Sequence, residues 1–123
     1  MAKKEIKNLV KDLERLNQDY LKLQNESDKT CRTPEDIEEK YKKLIQSGEL
    51  IVDFYNNKFI PNYSNINNSK VNQVRNHLMD FSLLASIHIK QKCYFGLSVL
   101  LIDKGSKITN PNNLEKLISE LKK

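Results

Sequence analysis

Six residues spaced three or four apart, Asn72, Arg75, Met79, Ser82, Ser86 and Lys90, form the one pattern in this chain that reads directly as chemistry. On a helix that spacing brings them to one face, with Arg75 and Lys90 about 22 Å apart along the axis. An Arg guanidinium can grip a phosphate bidentately, and Lys and Asn supply further donors. Small serines between two cations leave room for a chain to lie along the helix. The same pattern also suits a solvated polar face that carries two incidental cations.

Other chemistries find less to work with. His77 and His88 fall near the same side of a helix, but neither has a second ligand one turn away, and His77 with Asp80 reads as a surface pair rather than a metal site. The three glycines, Gly48, Gly96 and Gly105, are too far apart for a phosphate-cradling loop. No nucleophile context surrounds any Ser or Cys. The chain therefore reads as non-enzymatic, with no catalytic residues, no metal and no cofactor.

The elements that must position the stripe follow from composition and spacing. A chain of 123 residues with 38% hydrophobic and 30% charged content suits one helix-rich domain. The longest uncharged apolar run, Cys93 to Ile102, is far short of the roughly 20 residues a membrane span requires. No apolar leader is visible at the N-terminus. Two isolated thiols, Cys31 and Cys93, are most simply read as reduced in a cytoplasmic protein, although a disulfide between them stays open. The net charge of +5 is uneven along the chain: residues 1–49 hold eleven cations and eleven anions, while residues 50–110 carry an excess of four positive charges. That excess is where a polyanion would be attracted.

The first helix is expected over about Lys3 to Asn25, with Ile6, Leu9, Leu13, Leu16, Tyr20 and Leu23 in a heptad-like seam. Such a seam serves either packing within the domain or a contact with another chain, which makes Leu9, Leu13, Leu16 and Tyr20 candidate protein-interface residues on a helix that extends from the bundle. Thr33, Pro34 and Asp36 predict a capping-box start for a second helix, with Ser47-Gly48 as its stop. ELIVDFYNN predicts a short buried third helix. Pro61 disfavours helix at Ile60, so KFIPNYSNINN reads as irregular. Ser69 or Asn68 then caps a central helix, in which Val71, Val74, Leu78, Phe81 and Ala85 cover one arc and Leu83, Leu84 and Ile87 a second, enclosing its C-terminal half from two sides. That helix is expected to bend or stop near Lys90 to Lys92. A last helix starts at Asn110-Pro111. The fold class is all-α, a small single-domain bundle of about five helices with a long N-terminal helix and a buried central one.

The stretch SKVNQVRNHL, Ser69 to Leu78, resembles the signature of the small helical subunit of type III-A CRISPR effector complexes. Gln73, Val74, Arg75, Asn76 and Leu78 fit that signature, and KQKCYFG, Lys90 to Gly96, is similar to the Lys, Tyr and Gly run that follows it in the family. The likeness covers about 35 of 123 residues. Val71-Asn72 stands where Thr-Ser is usual, and Leu97 stands where the family carries Arg. The resemblance implies a non-catalytic bundle whose copies stack along a guide–target RNA duplex and touch its backbone without reading bases. Arg75, Lys70, Lys90, Lys92, Asn72 and Lys58 are the residues it nominates, with Lys42 or Lys43 behind them. Tyr94 and Phe95 read as core rather than as base-stacking platforms.

Two functions of different class therefore stand side by side. One is RNA-backbone binding among the subunits of an RNA-guided defence complex, with self-association. The other is a small protein-binding helical module with a single protein target, of the kind found among bacteriocin immunity proteins and phage-encoded inhibitors of host defence.

Overall fold

The computed structural model describes residues 3–27, 32–101 and 112–123, and within them every regular element is helical: α1 (Lys3–Ser27), α2 (Pro34–Asp53), a π-helical turn (Phe54–Phe59), α3 (Ile60–Tyr63), α4 (Ser69–Lys90), α5 (Tyr94–Ser98) and α6 (Asn113–Lys122). The all-α bundle is as expected. Cys31, Asn110 and Pro111 lie outside the described residues.

The seam of α1 is filled from within the chain. Leu9, Val10, Leu13, Leu16 and Tyr20 are buried in one core with Ile51, Phe59, Val71, Leu78, Leu101 and Leu117, and α1 packs against α2 and α6 rather than extending away. Leu9, Leu13, Leu16 and Tyr20 are thus core residues, and the expectation that they meet a partner is corrected. A seam this apolar is buried by the first surface available, which here is its own bundle.

α2 starts as its residues predict. Thr33 and Asp36 form the reciprocal capping box with Pro34 in the first turn. It does not stop at Ser47-Gly48, however, and continues to Asp53. The buried Ser47 hydroxyl donates to the Leu44 carbonyl at 2.6 Å and accepts from Gln24 Nε2 at 3.0 Å. Gly48 is where Leu97 and Ile89 press against the helix, since a Cβ there would lie 2.7 Å from Leu97 Cδ2 and 3.2 Å from Ile89 Cδ1. The glycine marks a close approach rather than a helix end.

Helical backbone also runs through Pro61, against expectation. In the π-helical turn the Ile60 amide donates to the Tyr55 carbonyl, five residues back. Pro61 then falls in the first turn of α3, where its fixed φ suits a helix and its missing N–H is tolerated. The bulge also directs Phe59 and Tyr63 into the core, with ring centroids 5.7 Å apart.

α4 is capped by Asn68, whose side chain accepts from the Lys70 and Val71 amides at 2.9 and 3.3 Å. It runs unbroken to Lys90 and closes in a Schellman arrangement: Cys93 N–H donates to the His88 carbonyl at 2.8 Å, Lys92 N–H to that of Ile89 at 3.2 Å, and Lys92 sits at φ 56°. The second apolar arc is not enclosed. Leu83 is 61% exposed, Met79 46%, Leu84 45% and Ile87 42%, because α2, α5 and α6 all pack on the other side of the helix. α6 begins at Asn112, which forms a capping box with Glu115 and also donates from Nδ2 to Asn17 Oδ1 at 2.7 Å inside the core.

Candidate nucleic-acid interface

Burying the α1 seam forces its remaining residues outward, and these are segregated by charge. Lys3, Lys7 and Lys11 follow one another at four-residue steps, each about 6 Å further along the axis, and all are exposed. Lys4, Arg15 and Lys22 are also exposed and fall within about a third of the helix circumference from them. None of these six cations is engaged by an acid among the described residues. The row is about 28 Å long.

The acids of α1 largely stand elsewhere. Asp12 turns toward α3, where it accepts the Tyr63 hydroxyl at 2.5 Å and faces Lys58 Nζ at 3.7 Å. Burial, then the hydrogen bond to Asp12 and its charge, push the Tyr63 hydroxyl well above its ordinary pKa. Glu14, the one acid within the basic face, is taken up by Lys122 of α6 at 3.5 Å. Asp19 is exposed at the edge of the face. At the N-terminal end the face borders a groove of roughly 680 Å³, floored by Ile6, Val10 and Leu121 and rimmed by Lys3, Lys4, Lys7 and Lys122. Lys70 reaches the same end of the bundle, where its Nζ donates to the Lys123 carbonyl oxygen at 2.6 Å.

The stripe on α4 is less open than its spacing predicts. Arg75 is half-buried: Nη1 donates to Asn72 Oδ1 at 2.9 Å, Nη2 to the Ser64 carbonyl at 2.6 Å, and Nε is buried without a partner. Arg75 and Asn72 thus tie the loop before α4 to the helix. Ser82 is buried, so no continuous channel of small residues joins Arg75 to Lys90. Lys90 and Lys92 are exposed at the far end of α4. Lys58 faces Asp12, and Lys43 pairs with Glu26 at 2.9 Å. Tyr94 is half-buried and stacks on Tyr41 with centroids 3.8 Å apart, whereas Phe95, expected in the core, is 77% exposed.

Sequence reasoning passed over the α1 face because charge was counted by segment: residues 1–49 are neutral in sum. Counting by helix face would have found it, since the seam that defines the inside of α1 also defines its outside.

Among the described residues, no group of three or more His, Cys, Asp or Glu could hold a metal ion, and no helix is long and apolar enough to cross a membrane. No family model matches the chain, and no match was found to a curated protein or a solved structure.

Proposed function

We propose that this chain is a non-catalytic helical subunit that holds an RNA backbone without reading its sequence, within an RNA-guided defence complex. The observation that carries the RNA-binding part is the row of six cations on the outer face of α1, Lys3, Lys4, Lys7, Lys11, Arg15 and Lys22. Their spacing along a rigid helix suits successive phosphates, and contacts of this kind position a nucleic acid without specifying bases. Lys122 and Lys70 extend the cationic surface at one end. The likeness of residues 69–96 to the small subunit of type III-A CRISPR complexes supplies the choice of RNA and of an assembly. In this reading Arg75 and Asn72 shape the subunit, and the phosphate contacts fall to α1.

The test is retention of a homopolymeric RNA at rising salt by the intact chain and by a variant carrying Lys3→Gln, Lys7→Gln, Lys11→Gln and Arg15→Gln. All four side chains are exposed, so the variant should keep its circular dichroism and melting temperature while losing most of the affinity. Equal affinity in the two proteins overturns the reading.

The second reading, a protein-binding module such as an immunity protein or an inhibitor of a host defence system, is favoured by a separate observation, the exposed apolar ridge on α4. Failure to retain any RNA at low salt favours this module.

A further inference from the structure

The outer face of α4 is built unlike the rest of the surface. Met79, Leu83, Leu84 and Ile87 stand exposed on it at three- and four-residue spacing, an apolar patch on the order of a few hundred Å², the size of the largest patch on a typical monomer, which is often functional. Asp80 stands between Met79 and Leu83 and Lys90 beyond Ile87, both exposed, and neither has an ionic partner among the described residues. They are ten residues apart in sequence, and the midpoint between them falls at the level of Ala85, a core residue on the opposite side of the helix, midway between Leu83 and Ile87.

We infer that the partner for this ridge is a second copy of the chain, packed with its α4 antiparallel to the first about a two-fold axis at the level of Ala85. An acid and a base placed symmetrically about the pair Leu83 and Ile87 are complementary to the same surface turned end for end. Asp80 then faces Lys90 of the second copy and Lys90 faces its Asp80, while Leu83 meets Ile87 of the second copy and Ile87 its Leu83. A parallel pair would instead oppose Asp80 to Asp80 and Lys90 to Lys90, so the charges select against it. The two-fold contact is isologous and closes on itself, which gives a dimer and not a filament. Ser86, exposed beside the ridge, lets the helices approach closely.

The ridge is smaller than the roughly 800 Å² per partner of a stable interface, so the pair is weak and forms in the micromolar range or above. None of its residues belongs to the α1 face, so the inference stands apart from the RNA reading.

The test is sedimentation velocity of the intact chain between roughly 10 μM and 1 mM at low salt, alongside Leu83→Asp, Asp80→Lys, Lys90→Asp and the double variant Asp80→Lys with Lys90→Asp. The expected result is a concentration-dependent dimer that Leu83→Asp abolishes, each single charge reversal weakens at least fivefold, and the double reversal restores. A chain that stays monomeric throughout overturns the inference and leaves the ridge to a different protein. A dimer indifferent to Leu83→Asp, or one that the double reversal fails to restore, also overturns it. The restoration arm separates a lost contact from a lost fold, because a misfolded single variant would not be rescued by a second reversal.

Discussion

Replacing Gly48 by Ala sets two effects of known size against each other. In the interior of a helix, Ala is favoured over Gly by about 1 kcal/mol, so at an open position the change would stabilise α2. Here the new methyl would lie 2.7 Å from Leu97 Cδ2 and 3.2 Å from Ile89 Cδ1, where carbon atoms ordinarily rest about 3.5–4.0 Å apart. Leu97 has no exposure to yield into, and its carbonyl accepts from Tyr20 and Gln24 at 3.4 Å each. Overpacking of this kind costs about 1–3 kcal/mol. The net expectation is a loss of about 1 kcal/mol, or about 4 °C in melting temperature for a domain of this size. The assay is urea unfolding followed by circular dichroism, with Leu97→Ala as a second background. Removing the Leu97 side chain makes room for the methyl, so Gly48→Ala should turn from destabilising to stabilising there, and that change of sign is the coupling of the pair. A gain of about 1 kcal/mol in the unmodified background would refute the close approach of α5 to α2.

Arg75→Ala should cost about 1 kcal/mol of stability, because the Ser64 carbonyl and Asn72 lose a charged donor, while RNA affinity changes by less than about twofold; a tenfold loss of affinity at unchanged stability would return Arg75 to the binding surface. Lys92→Gly should stabilise the chain by about 0.5–1 kcal/mol in thermal unfolding, because φ 56° is strained for a side chain and free for glycine. Hydrogen bonds from the Arg32 amide, then that of Thr33, hold the Asp36 carboxyl below its ordinary pKa of 3.8. The support Asp36 gives to α2 is therefore complete above pH 3.8 and fades as pH falls through its lowered pKa. Asp36→Asn should flatten that part of the pH dependence of urea unfolding.

Much of the bundle was legible in the residues, and the failures have physical causes. Apolar spacing located α1, α4 and α6, and the Thr33-Pro34-Asp36 signal placed the start of α2 because capping is local chemistry. Gly48 and Pro61 misled for the opposite reason. Each breaks a helix locally, and each is overridden by its setting: the approach of Leu97 and Ile89 at Gly48, and a π-helical turn that leaves Pro61 in the first turn of α3. The exposure of Leu83, Leu84 and Ile87 could not be read from their type, because an apolar arc looks the same whether a neighbour covers it or not. The α4 stripe was visible as spacing, but the burial of Ser82 and the bonds of Arg75 to Ser64 and Asn72 depend on how the preceding loop folds back. The basic face of α1 was fully encoded and was hidden only by averaging charge along the chain instead of around the helix.

The most direct measurement is the slope of log affinity against log salt for a single-stranded RNA. If all six cations of α1 engage phosphates, the slope should be about −4 for the intact chain and about −1 once Lys3, Lys7, Lys11 and Arg15 are replaced by Gln. The same slope in both proteins would contradict the assignment of that face to an RNA backbone.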